Sequence, residues 1–138
     1  MSVRAIPLLV LAFVLYNAIV LSLGPEVVTD QSNHLLFKIR LLSGGEWGFG
    51  WGDFILLVTL ILLFIEIVKS TFTTTSTLID HELSMIVFIA VGAEFLTVPQ
   101  AATSVFFLIL MATLIDVIGG YTIGIRVARR DLNIGADQ

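Results

Sequence analysis

"WGDFILLVTLILLFIEIV", residues 51–68, decides how this chain is read. As a helix these eighteen residues extend about 27 Å at ~1.5 Å per residue, close to the ~30 Å hydrocarbon layer of a bilayer. Glu66 is the one charge deep within the segment, and Lys69 closes it. The stretch predicts a membrane-spanning helix.

Three further apolar segments flank it. Residues 5–23 carry no charge across nineteen positions and follow Arg4. The segment resembles a signal sequence, but it is expected to stay as an anchor. Another span is expected over 78–98, ending before Pro99, which lacks an N–H and stops a helix. The last, 101–125, contains Asp116 and ends in "RVARRD". The connection "PQAATS" is so short that these two spans must form an antiparallel hairpin. The fold class expected is therefore all-α: a single polytopic membrane domain over 1–138 with four transmembrane helices.

Composition agrees with that class. Hydrophobic residues make up 57% of the chain and the mean hydropathy is +1.03, well above a soluble domain's roughly 45–50% apolar content. The net charge of −4 gives no basic field for nucleic acid. The lack of cysteine excludes disulfides, thiolate metal sites and cysteine nucleophiles. Four spans place Arg4, Lys69, Arg126, Arg129 and Arg130 on one side, with Lys38 and Arg40 on the other. By the positive-inside rule both termini are cytoplasmic.

Between the first two spans, "DQSNHLLFKIRLLSGG" offers caps at Asp30, Ser32 or Asn33 and apolar Leu35, Leu36, Ile39 and Leu42 at helical spacing. A short interfacial helix over about 32–43 is expected, with Lys38 and Arg40 toward headgroups. The competing pattern is a strand, since Phe37, Ile39 and Leu41 alternate with Lys38 and Arg40.

Ionisable groups inside spans cost roughly 2.5–3.5 kcal/mol each at a helix centre, so Glu66, Glu94 and Asp116 are the leading candidates for function. Glu66 and Asp116 each lie fifteen residues from the outer end of their spans and should share a level, whereas Glu94 belongs to the opposite half. Two carboxylates at one depth could share a proton or hold a cation. Alternatively each acid is hydrogen-bonded within the bundle, with Glu66 reaching Lys69 at i+3.

Other motifs carry less. His81-Glu82 begins the zinc-protease pattern H-E-x-x-H, but position 85 is Met and His34 lies across the membrane, so no metal site is expected. Thr77 and Asp80 instead suit a helix cap, with His81 a candidate pH sensor. Gly120 and Gly124 form G-x-x-x-G behind Gly119, a spacing that lets helices pack closely, within one chain or between copies. The run "STFTTTST" reads as a capped loop, and no G-x-S-x-G or other nucleophile setting appears.

"SGGEWGFGWGDF", residues 43–54, lacks any phosphate-loop spacing, and Glu46 and Asp53 would repel an anion. Trp47, Phe49 and Trp51 alternate with glycines, so an extended path would set three rings on one face. At the outer interface that face would grip lipid, a neighbouring subunit, or a flat pigment or quinone.

Taken in order, "WGDFILL", "FIEIVKST", "DHELSMIVFI", "VPQAATSVFFL", "LIDVIGG" and "RRD" resemble small bacterial inner-membrane proteins that carry no assigned activity. The resemblance covers residues 47–131 and implies four helices and a bacterial inner-membrane location, with no catalytic residue carried over. The expected protein is a non-enzymatic small membrane subunit without cofactor. Its expected partners are lipid and further copies of itself or a larger membrane complex, and a small proton or cation carrier is the alternative.

Overall fold

A computed structural model describes residues 6–72 and 76–136, without the side chains of 76–80 and of several positions beyond 123. Thr73 to Thr75 of the hydroxyl run lie outside the described residues, as do the side chains of the Thr77–Asp80 cap and the surroundings of Gly124 of the glycine motif. The chain is mostly helical, in the order α1 (Leu9–Leu23), α2 (Glu26–Thr29), β1 (Leu35–Arg40), β2 (Glu46–Gly50), α3 (Trp51–Lys69), α4 (Ser76–Thr97) and α5 (Ser104–Ala136), with 3-10 turns at Gln31–Asn33 and Pro99–Ala101.

Local chemistry sets these ends. Asp53 accepts the Gly50 N–H at 3.0 Å, satisfying an amide just ahead of α3, while Lys69 stands at the negative end of that helix. Beyond it, Ser70 Oγ donates to the Ile67 carbonyl at 2.8 Å and Thr71 Oγ1 to that of Val68 at 2.7 Å, so hydroxyls take up the last orphan carbonyls. At the α4–α5 turn, Thr103 Oγ1 accepts the Phe106 N–H at 3.2 Å and caps α5. Nothing breaks α5 where hydropathy falls, and it continues past the expected end near 125 to Ala136.

α4 runs antiparallel to α5, pairing Ser84 with Asp116 and Phe95 with Phe106, whereas α3 lies parallel to α5. α1 packs along α3 and α5. The main core gathers Tyr16, Ile19, Ile55, Val91, Phe106 and Ile109, and a smaller one joins Leu9 and Ala12 to Leu63 and Ala112. On α3 the buried stripe is Gly52, Ile55, Thr59, Leu63 and Glu66. Its spacings of three, four and seven follow one helix face, so Glu66 stands on the inward face by geometry.

Two expectations change. The first helix is Leu9–Leu23, fifteen residues or about 22 Å at ~1.5 Å per residue, so the helix is shorter than the 5–23 segment. The segment expected to be an interfacial helix over 32–43 is half of an antiparallel hairpin, in which Phe37 pairs with Phe49, Ile39 with Trp47 and Arg40 with Glu46. The period-two alternation prevails because a partner strand is close in sequence. A register shift between Leu35 and Phe37 marks an irregularity at Leu36, and the alternation runs on from Phe37. Gly44, at φ +87°, closes the turn in a conformation that disfavours side chains. Gly48 lets Leu35 lie across β2, since a Cβ there would come within 2.7 Å of Leu35 Cδ2.

Candidate functional site

Apart from Thr59 and Thr113, whose hydroxyls donate to carbonyls of their own helices, the polar groups inside the bundle fall into two clusters. At the Lys69 end, Glu66 Oε1 accepts the Leu8 N–H and the Lys69 ammonium, the latter at 3.3 Å, while Lys69 Nζ also donates to the Ile6 carbonyl at 3.4 Å. No side chain at position 8 caps α1, so a carboxylate from α3 takes an amide at its positive end. Asp116 faces this group from α5, held by a hydrogen bond to Ser84 of α4 and near enough to Glu66 and Lys69 to feel their charges. Glu66 and Asp116 are both 6% exposed, so the chain itself shields them.

The second cluster lies toward the hairpin end. Glu94 Oε2 accepts from Asn17 Nδ2 at 3.3 Å, and the same amide donates to the Phe13 carbonyl at 2.9 Å. Tyr16 Oη donates to the Gln100 carbonyl at 2.7 Å and lies 2.8 Å from Thr103 Oγ1. Its ring meets Phe106 edge-on at 4.8 Å.

The structure thus brings Glu66 and Asp116 together and sets Glu94 apart, and it gives each glutamate a partner on α1 or just ahead of it. Sequence reasoning missed Leu8, Tyr16, Asn17 and Ser84. A signal was present for two of them, because Tyr16 and Asn17 are adjacent polar side chains in the middle of an otherwise apolar segment.

The remaining candidates are less engaged. Among the described residues, a Cβ at Gly119 would meet nothing within 4 Å, and one at Gly120 would touch Ser70 at 3.9 Å. His81 stacks on Tyr121 at 4.7 Å at the Lys69 end, whereas His34 sits at the hairpin end with Nδ1 3.1 Å from the Asp30 carbonyl. Among the described residues no group of three or more His, Asp or Glu could hold a metal ion.

The aromatic segment is rearranged relative to the three-ring expectation. The extended path stops at Gly50, and Trp51 begins α3, where its ring meets Phe54 at 6.3 Å. Trp47 and Phe49 are joined instead by Phe37 of β1: Phe37 stacks on Phe49 at 4.7 Å, and Trp47 approaches Phe49 edge-on at 5.7 Å.

What fold and site define is a small helical bundle that has, among the described residues, two helices long and apolar enough to cross a membrane, Trp51–Lys69 and Ser104–Ile123, and buried carboxylates between helices. No protein-family model, curated protein or solved structure matches the chain.

Proposed function

We propose that the protein is a small, non-enzymatic integral membrane subunit of the bacterial inner membrane. It crosses four times with both termini cytoplasmic and assembles with copies of itself or with a larger complex. The observation that carries this reading is an apolar exterior around an interior that also holds polar groups. Glu66, Ser84, Thr113 and Asp116 are buried, while large apolar side chains face outward on every long helix, among them Val14, Leu60, Phe64, Ile89, Ile115 and Ile118. An apolar exterior of this extent has no place in water and suits lipid and helix neighbours.

The short α1 fits the same reading. Backbone that is not helical is tolerated at membrane depth where protein groups satisfy it, and Glu66 and Lys69 do this for Leu8 and Ile6. Lys69, Arg126, Arg129 and Arg130 gather at one end, which the positive-inside rule assigns to the cytoplasm. Mass measurement after gentle detergent extraction tests the assembly: oligomers or a co-purifying complex are expected, and a strictly monomeric particle without partners overturns it.

A second reading rests on one observation, that Glu66 and Asp116 face each other at one level. A proton or cation carrier would use that pair. In liposomes Asp116→Asn would then abolish ion flux while assembly persists, and unchanged flux removes the carrier.

A further inference from the structure

We infer that the β1–β2 hairpin is seated in the bilayer, with its aromatic face and its Leu41–Leu42 tip in the headgroup region on the side where α3 begins. The inference rests on the membrane reading above and adds a second, non-helical contact with lipid.

The hairpin is two-faced. Phe37, Ile39, Trp47 and Phe49 share one side, with Phe37 and Trp47 each 45% exposed. The other side carries Lys38 and Glu46, paired at 3.1 Å, and Arg40. Its tip is apolar where turns are usually polar: Leu42 is fully exposed and Leu41 half so.

A lone two-stranded hairpin is at best marginal in water. This one joins the bundle at its root, where β2 runs directly into α3 and touches the Gln31–Asn33 turn. Its aromatic face therefore needs a cover that the helices do not supply. Continuity points to lipid as that cover. Trp47 and Phe49 lie a few residues ahead of α3, whose exposed Leu57, Leu60 and Ile61 belong to the proposed lipid-facing surface. Rings and leucines on one side with ions on the other make the amphipathic surface that interfacial elements present to a bilayer.

Tryptophan emission in liposomes tests this. Trp51→Phe leaves Trp47 as the single reporter, and a second protein, Trp47→Phe/Trp51→Phe/Leu60→Trp, reports the middle of α3. Expected is a blue-shifted Trp47 emission, quenched by lipids brominated near the headgroup and shielded from aqueous iodide, with Leu60→Trp quenched by lipids brominated deep in the chain. If Leu60→Trp is quenched but Trp47 stays open to iodide, the hairpin stands in water and the inference falls while the membrane reading survives. If neither is quenched by lipid, both fall. If Trp47 is shielded from iodide and lipid alike, a protein covers the face, and lipid seating is overturned.

Leu42→Cys supplies an independent arm, because the chain has no other cysteine and the fully exposed Leu42 side chain makes little contact. An environment-sensitive dye at that position should shift to the blue on reconstitution into vesicles, and an unshifted emission overturns the inference even where Trp51→Phe fails to fold.

Discussion

The start and the middle of α1 are held by different chemistry. At the Lys69 end, Glu66 and Lys69 grip only backbone, the Leu8 N–H and the Ile6 carbonyl, and the grip is charged. Toward the hairpin end the contacts come from α1's own side chains, Tyr16 and Asn17, and most of the partners are neutral. A charged grip on backbone specifies where a helix starts, whatever its sequence. A side-chain network specifies which residue meets which neighbour, and so fixes rotation and register.

The largest break in that comparison is Glu66→Leu. It strands an N–H at the start of α1 and leaves Lys69 without its carboxylate, a loss of about 3 kcal/mol by the usual cost of unpairing a charged, mostly buried hydrogen bond. Hydrogen exchange should show residues 9–23 opening while the α4–α5 hairpin stays protected, and uniform protection would show that the grip is dispensable. Tyr16→Phe comes next, at about 1–2 kcal/mol, because it removes a hydroxyl that serves Gln100 and Thr103 yet keeps the ring against Phe106. Its signature in the same experiment is opening near residue 16 with the start of α1 still protected.

Asp116→Asn should behave differently from both. Asp116 hydrogen-bonds Ser84 of α4, and asparagine keeps a hydrogen-bonding partner for that serine while removing a charge that faces Glu66. Thermal stability in detergent should be unchanged or higher by under about 1 kcal/mol. A loss as large as that of Glu66→Leu would show that the two carboxylates work as one unit.

How much of this was legible depended on whether the relevant signal was local. The expected bounds of 51–68 for α3 differ by one residue from Trp51–Lys69, because a hydropathy edge coincides with Gly50, Asp53 and Lys69. The shared level of Glu66 and Asp116 follows from counting along parallel helices, and the Glu66–Lys69 pair from helical spacing. Which face of α3 turns inward was hidden, since it is apolar all round, yet Gly52, Thr59 and Glu66 recur every seven residues and marked it. The hairpin was obscured because Leu35, Leu36, Ile39 and Leu42 also fit helical spacing, and with it the partnership of Phe37 with Trp47 and Phe49, which depends on two strands meeting.

The smallest expected effect sharpens the contrast with a carboxylate at the hairpin end that is open to water. Asp30 Oδ1 accepts from Ser32 at 2.8 Å and Oδ2 from Asn33 at 2.7 Å, in the turn that leads from α2 to β1. The Asn33 and then the Ser32 hydrogen bonds favour its charged form and hold its pKa below the ordinary aspartate value. A folded-state pKa lowered in this way stabilises the turn above the ordinary aspartate range, and the contribution fades as pH falls through the lowered value. Because water reaches the group, solvent and salt screen the effect, and global stability should barely register it. Carboxyl-carbon NMR shifts should place the Asp30 midpoint below that of an unstructured peptide spanning residues 28–35. Coincident midpoints would mean that the turn holds Asp30 no more tightly than water does.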